Sequence, residues 1–430
     1  MEQYRYQVQP FEWRGDAAEL IAALAHAHGE VMALHTASDP QGLCVIGVDA
    51  RVRFIGADVP NWRWPSFERY LIDAGPLSDC VGWLGFVSYD IGRMLERVGD
   101  AATDDTDWPV DYWTLFQTYY VRKGGVWYVA SMGDPPKLTP ARPMQRGTLE
   151  VVEQTPRAVY EQRVQRVKDY IAAGDVYQVN LAQRWTLRPA AHPVEVYRRL
   201  CERSPAPYAA YVQFTHRGQR YAAASASPEL FVALRGGHLV TRPIKGTRRR
   251  EADVGRDEAQ RQALLDSPKD AAELAMIVDL LRNDVGRVAA FGSVQVTEPR
   301  AIEQHPTVWH TVATVEGQLR EKVGIGDVLA AMCPGGSITG APKIRAMQII
   351  DELEGVRRGL YCGNMGLIAA DGSATLNIAI RTIQFVNDTA YVWAGGGVVT
   401  DSESAAEYDE TLAKAAAMFE ALGSTLQAGG

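Results

Sequence analysis

The sequence predicts an α+β fold built on antiparallel sheets, and three observations carry that prediction. Strand-like segments come in runs and do not alternate one for one with helices. Two of the runs contain tight-hairpin signals, Gly124-Gly125 and Asp371-Gly372, which join neighbouring antiparallel strands. Helical periodicity is confined to a few isolated stretches that punctuate the runs.

The elements follow in order. Residues 1 to about 130 are β-rich, with "GLCVIGVDARVRFIG" and "WTLFQTYYVRKGGVWYVAS" carrying β-branched and aromatic residues. Four prolines in "GDPPKLTPARP" (residues 133–143) mark the clearest linker, dividing a region 1–145 from a region 150–425. A helix follows: Thr155 caps it, Pro156 takes the first helical position, and Tyr160, Val164, Val167 and Ile171 recur at helical spacing until Gly174. "DVYQVNLAQRWTL", "RYAAASASPELFVAL" and "HLVTRPIK" read as strands. "KDAAELAMIVDLLRNDVG" is a helix whose apolar stripe is Leu274, Ile277, Val278 and Leu281. The segment from "GLYCGNMG" to "WAGGGVV" is a second run of strands, and a last helix spans residues 402–422.

Composition narrows the function classes. The chain has 430 residues, 47% hydrophobic and 22% charged, as an ordinary globular protein does. A formal charge of −8 argues against a general affinity for nucleic acid or anionic membrane, so the basic run "RPIKGTRRR" (residues 242–250) is local. No stretch is long and apolar enough to span a bilayer, and no signal peptide is visible. Five scattered cysteines without CxxC spacing read as buried thiols of a cytoplasmic protein.

Several patterns carry possible chemistry. On the last helix, Glu403, Glu407, Glu410 and Lys414 form a polar stripe away from the apolar face of Tyr408, Leu412, Ala415, Phe419 and Leu422. Alone this is a solvated face with a Glu410–Lys414 ion pair. The three glycines just before it, Gly395, Gly396 and Gly397, weaken a strand and admit close approach of a ligand. Asp270 and Glu273 lie one turn apart on the other helix; if the two acidic turns converge, they offer hard oxygen ligands suited to Mg²⁺. "CPGGSITGAPKIRAMQ" fails as a phosphate loop, although Thr339 or Gly340 could open a helix with Pro342 early in it. His310, alternating with Val308, Val312 and Thr314, fits a hydrogen-bonded strand histidine as well as a base.

Together these blocks resemble the chorismate-utilising enzymes: the large subunit of anthranilate synthase, aminodeoxychorismate synthase component I, and isochorismate and salicylate synthases. The matching stretches include "DVYQVNLAQRW", "SPELF", "RPIKGT", "HTVATVEGQL", "PGGSITGAPKIRAMQIIDELE", "NIAIRT" and "AGGGVVTDSESAAEYDETLAK", in family order from about residue 157 to 420. The N-terminal region matches weakly, at "ALHTAS", where relatives carry part of an effector pocket.

The resemblance implies two antiparallel sheets packed as a sandwich with flanking helices, and a catalytic domain at 150–425. It places Lys245 at the position where aminodeoxychorismate synthases typically have lysine and anthranilate synthases alanine. The implied roles are Lys245 as nucleophile at C2 of chorismate, Glu229 as general acid, and His310 near the ring. Tyr361, Arg381, Lys414 and the amides of Gly395, Gly396 and Gly397 would hold the carboxylates, with Gly246 and Thr247 turning close to the substrate. Glu273 and Glu410 would bind Mg²⁺, with Asp270 and Glu407 behind them. A lysine nucleophile must be neutral, yet at a pKa of about 10.4 only about one in 2,500 is neutral at pH 7. Burial or cationic neighbours must lower that value, and Arg242 and Arg248 are the candidate neighbours. Cys44 reads as an interior strand thiol and not a glutaminase nucleophile, so ammonia is expected from a separate glutamine amidotransferase subunit. A non-catalytic chorismate-binding protein is the alternative of a different class.

Overall fold

A computed structural model of the chain describes residues 2–56, 64–136, 138, 150–188, 192–306 and 308–424. Most of the expected linker, at residues 137 and 139–143, lies outside the described residues. The architecture is α+β, with large antiparallel sheets and helices against them.

Strands Gln178–Arg188, Thr389–Val398, Thr382–Val386, Gln219–Ser227, Tyr208–His216, Val31–His35 and Cys44–Gly56 lie side by side, all antiparallel. A second series runs Gly82–Val87, Asn364–Ala369, Ala374–Asn377, Leu230–Arg235, His238–Arg242 and Val308–Gln318. The 13-residue strand Asp111–Lys123 belongs to both. One edge pairs with Cys44–Gly56; along the other, its first half pairs with Gly82–Val87 and its second with Val126–Ser131. Strands of the N-terminal region therefore pair directly with strands of the region after residue 150.

Period-two alternation decides which side chains meet. Along Tyr208–His216, Ala210, Val212 and Phe214 join a core that also holds Trp83, Phe86 and Leu367 of the second series. Ala209 and Tyr211 point the other way and pack with Leu20, Tyr197 and Phe419 of three covering helices. Phe214 lies tilted against Tyr112 at 4.2 Å and stacks on Tyr221 at 5.1 Å; burying each such ring contributes about 1.5–3 kcal/mol.

Two helices position the site. Pro268–Gly286 begins with Ser267 as cap, its Oγ accepting the Asp270 amide at 3.2 Å, and buries Leu274, Ile277, Val278 and Leu281. Ser404–Leu422 buries Tyr408, Ala415, Phe419 and Leu422. Two expected starts are corrected. Pro156, not Thr155, caps Arg157–Ala172: its backbone is still extended, and its carbonyl accepts from Val159 and Tyr160. Neither Thr339 nor Gly340 opens a helix. Gly340 (φ 140°) pairs with Val179 in a two-residue strand, and the helix Lys343–Glu354 begins after Pro342. Among the described residues no helix is long and apolar enough to cross a membrane.

Candidate active site

The lysine strand, Ile244–Arg249, pairs with Val308–Gln318 and slips register at Gly246, whose φ is +72°. Only glycine adopts that conformation without strain, and the bulge re-aims its neighbours. A Cβ there would lie 3.0 Å from both Asp270 Cγ and Thr311 Oγ1, so helix and strand touch at this point. Lys245 is half-buried; its carbonyl accepts from Thr311 Oγ1, and its Nζ donates to the Ser337 carbonyl at 3.3 Å. Burial lowers its pKa most strongly, Glu273 and Glu229 pull it back up, and Lys414 adds to the lowering. The expected arginines are not among the main influences on it. Arg242 is paired with Glu303 at 2.5 Å and Glu298 at 3.4 Å, and Arg248 with Asp270 at 3.3 Å.

Glu229 is only 4% exposed. Its Oε1 accepts from Ser337 Oγ at 2.6 Å. Burial raises its pKa to about 7, against the opposing pull of that hydrogen bond and of Lys245. A single residue, Ser337, thus touches both the acid and the amine. Its signal lay in plain view inside "PGGSITGAPK", but a failed phosphate loop gives no reason to single out its serine.

The two acidic turns converge. The Lys269 ammonium stands 4.0 Å from Glu273 on one helix and 3.8 Å from Glu407 on the other. Lys414 pairs with Glu410 at 2.7 Å and donates to the Gly395 carbonyl at 2.8 Å. Gly396 leaves the space they need: a Cβ there would sit 3.1 Å from Glu407 and 3.4 Å from Glu410. Glu407, held by Ser402 Oγ at 2.7 Å, and Glu273 are both raised by burial and by neighbouring carboxylates. Burial pushes Glu410 the same way, but Lys414, with Lys269 and Lys245, overrides it and holds that carboxyl below its ordinary value.

No group of three or more His, Cys, Asp or Glu side chains among the described residues is gathered tightly enough to enclose a metal ion. The donors are nevertheless all hard carboxylate oxygens, and a lysine ammonium already stands between two of them. Both features suit a hydrated Mg²⁺, which binds through one or two carboxylates and keeps several waters.

The other expected site residues are cationic, neutral or aromatic. Arg381, half-buried with φ +51°, has no ion-pair partner among the described residues, and burial lowers its pKa. His310, 2% exposed, faces Thr247 Oγ1 at 2.9 Å through Nδ1. Burial, then Arg381 and His305, drop its pKa to about 3, so the imidazole is neutral at physiological pH. Tyr361 stacks on Trp393 at 5.4 Å. Gln178, fully buried, has neither amide atom hydrogen-bonded to a described residue, and its Nε2 lies 2.8 Å from where a Gly397 Cβ would be. Cys44 is buried in its strand, its thiol pushed up to about 12 by burial, which disqualifies it as a nucleophile.

A buried acid poised near neutrality beside an amine pushed toward its free-base form is catalytic equipment, and the unpaired guanidinium calls for an anionic substrate. Comparison with known proteins gives that class its family. A profile of the chorismate binding enzymes matches residues 30–420, and the chain belongs to this family. It is 38% identical over 364 residues to aminodeoxychorismate synthase component 1 of Bacillus subtilis (79% of this chain, 77% of the relative). It is equally, 38%, identical over 380 residues to an anthranilate synthase component 1 of Haloarcula marismortui (80% and 76%). The crystal structure of anthranilate synthase component I from Streptococcus pneumoniae superposes with a TM-score of 0.73 at 28% identity, covering 87% of this chain and 92% of that one.

Proposed function

We propose that the chain is aminodeoxychorismate synthase component I, which replaces the C4 hydroxyl of chorismate with ammonia to give 4-amino-4-deoxychorismate, on the route to 4-aminobenzoate and folate. The observation that carries this reading is Lys245: an amine whose pKa burial lowers, in the same pocket as a protonatable Glu229.

In the first displacement the Lys245 Nζ lone pair forms a bond to C2, the two conjugated ring double bonds both shift toward C4, and the C4–O bond breaks. Glu229 gives its proton to the departing oxygen, which leaves as water. Ammonia then adds at C4, both double bonds return, and the C2–N bond breaks. Its electron pair goes back to Nζ, and a proton released from the new ammonium restores Glu229. The first displacement needs Lys245 to be a free amine and Glu229 to start as an acid, the states that burial favours in each, and the second returns both to those states.

Arg381 and Lys414, with the backbone around Gly395, Gly396 and Gly397, would hold the two substrate carboxylates, and Tyr361 and neutral His310 would line the ring. Glu273 and Glu410 would hold Mg²⁺, with Asp270 and Glu407 behind them. The bound ion would neutralise the ring carboxylate as charge shifts toward it. Ammonia is assigned to a glutamine amidotransferase partner, consistent with the inert Cys44 thiol and with the "component 1" naming of the relatives. The setting assigned to the chain is the cytoplasm.

The test is to incubate the chain with chorismate, Mg²⁺ and ammonium salt and identify the product by chromatography. 4-Amino-4-deoxychorismate is expected; anthranilate would move the chain to the other branch.

A further inference from the structure

Ser337 makes two contacts that no other described residue makes together: Oγ donates to Glu229 at 2.6 Å, and its carbonyl accepts from Lys245 Nζ at 3.3 Å. We infer that Ser337 is a positioning residue that sets the acid and the amine against each other, its hydroxyl orienting the Glu229 carboxyl and its carbonyl orienting the Lys245 amine. This rests on the roles given above to Glu229 and Lys245.

The turn that carries Ser337, Gly336–Ile338, is built to be rigid. Thr339 Oγ1 donates back to the Gly335 carbonyl at 3.0 Å, closing the turn on itself. The Ile338 carbonyl accepts from Arg358 Nη1 at 3.0 Å, and that guanidinium is buried and locked in an ion pair with Glu354 at 2.6 Å. From below, the turn rests on Leu280, which a Cβ at Gly336 would meet at 2.6 Å. Ser337 itself is 6% exposed, so water does not compete for its hydroxyl.

The hydroxyl has a directional consequence. As a donor it stabilises the ionised carboxylate and pulls the Glu229 pKa down, opposing burial. The other groups acting on Glu229 are the cations Lys245, from its strand, and Lys414, from the last helix, and the Ile244 backbone amide, with the Cys362 thiol nearby. Replacing the hydroxyl leaves all of these in place, and leaves the carbonyl that holds Lys245.

The experiment compares Ser337→Ala and Ser337→Thr with the parent chain and with Glu229→Gln, using ammonium as nitrogen source across pH 6–9. Ser337→Ala should lower kcat by about 100-fold, the cost of a misaligned catalytic group, with KM for chorismate and Tm little changed. Its alkaline limb should move to higher pH, while Ser337→Thr recovers most of the parent rate and the parent limb. A Ser337→Ala enzyme with parental kcat and limb overturns the inference, as does a loss of rate that simply follows a loss of Tm. Because Glu229→Gln is measured alongside, the two readings fail separately. An active Glu229→Gln sinks the acid assignment, whereas an inactive one beside a parental Ser337→Ala sinks only the role of Ser337.

Discussion

Two glutamates a short way apart in one pocket behave oppositely. Glu229 is 4% exposed with a serine as its hydrogen-bond donor, and its pKa rises to about 7. Glu410 is half-exposed and paired with Lys414 at 2.7 Å, and its pKa falls. Burial pushes both upward; a directly bonded cation reverses the result for one of them. The lysines divide in the same way: among the described residues the Lys245 amine bonds to the Ser337 carbonyl and to no carboxylate, whereas Lys269 and Lys414 stand within ion-pair distance of carboxylates. One wall of the pocket is thus biased toward neutral groups that exchange protons and bonds, and the other toward charges that hold an anion and its counter-ion.

That division can be broken most completely at the amine. Lys245→Ala should abolish C4 amination, a loss on the order of 10⁴-fold or more, as for removal of other covalent nucleophiles; circular dichroism and Tm should show an intact fold. A mutant still forming 4-amino-4-deoxychorismate at the parental rate would remove the nucleophile from the scheme.

Next in size is the acid. Glu229→Gln should lower kcat by about 10²–10⁴-fold. In the parent enzyme the rate should fall as pH rises through about 7, where Glu229 ionises, and in the variant that limb should disappear. A limb that persists unchanged assigns the titration to another group.

The same substitution sharpens the comparison through stability. The folded pKa of Glu229 lies above the ordinary carboxyl value of 4.5, so the folded state keeps a proton that the unfolded chain has released. The stability tied to that proton is complete below the ordinary value and is lost as pH climbs through about 7. Glu229→Gln should therefore be more stable than the parent at pH 8 by about 1–3 kcal/mol, with no gain at pH 4. Urea unfolding at the two pH values measures this, and an equal effect at both would contradict it.

The smallest effect belongs to the charged wall. Lys269→Met removes the ammonium standing between Glu273 and Glu407. An exposed pair is worth about 0.2–1 kcal/mol, so Mg²⁺ affinity should tighten about 1.5- to 5-fold, read by calorimetric titration without substrate. Weaker binding would mean that the lysine does not compete with the metal.

Much of the fold was legible because period alone places side chains. The stripe Leu274, Ile277, Val278 and Leu281 is buried as its spacing predicts, and Gly124-Gly125 closes its hairpin with both φ values positive, +58° and +78°. The resemblance blocks name the candidate site residues, and the two acidic turns meet at Lys269. The neighbours of Lys245 were not legible in the same way. Arg242 and Arg248 are close in sequence, but both pair with carboxylates of their own. Ser337, 92 residues away, is the group that touches it.

By itself the sequence determined which segments become strand or helix and which residue types are available for chemistry, since those depend on local spacing and side-chain identity. Only the tertiary structure decided which of those groups are dry, which are paired and with whom. Charge state follows desolvation and contacts of a few ångströms, and residues distant along the chain supply both.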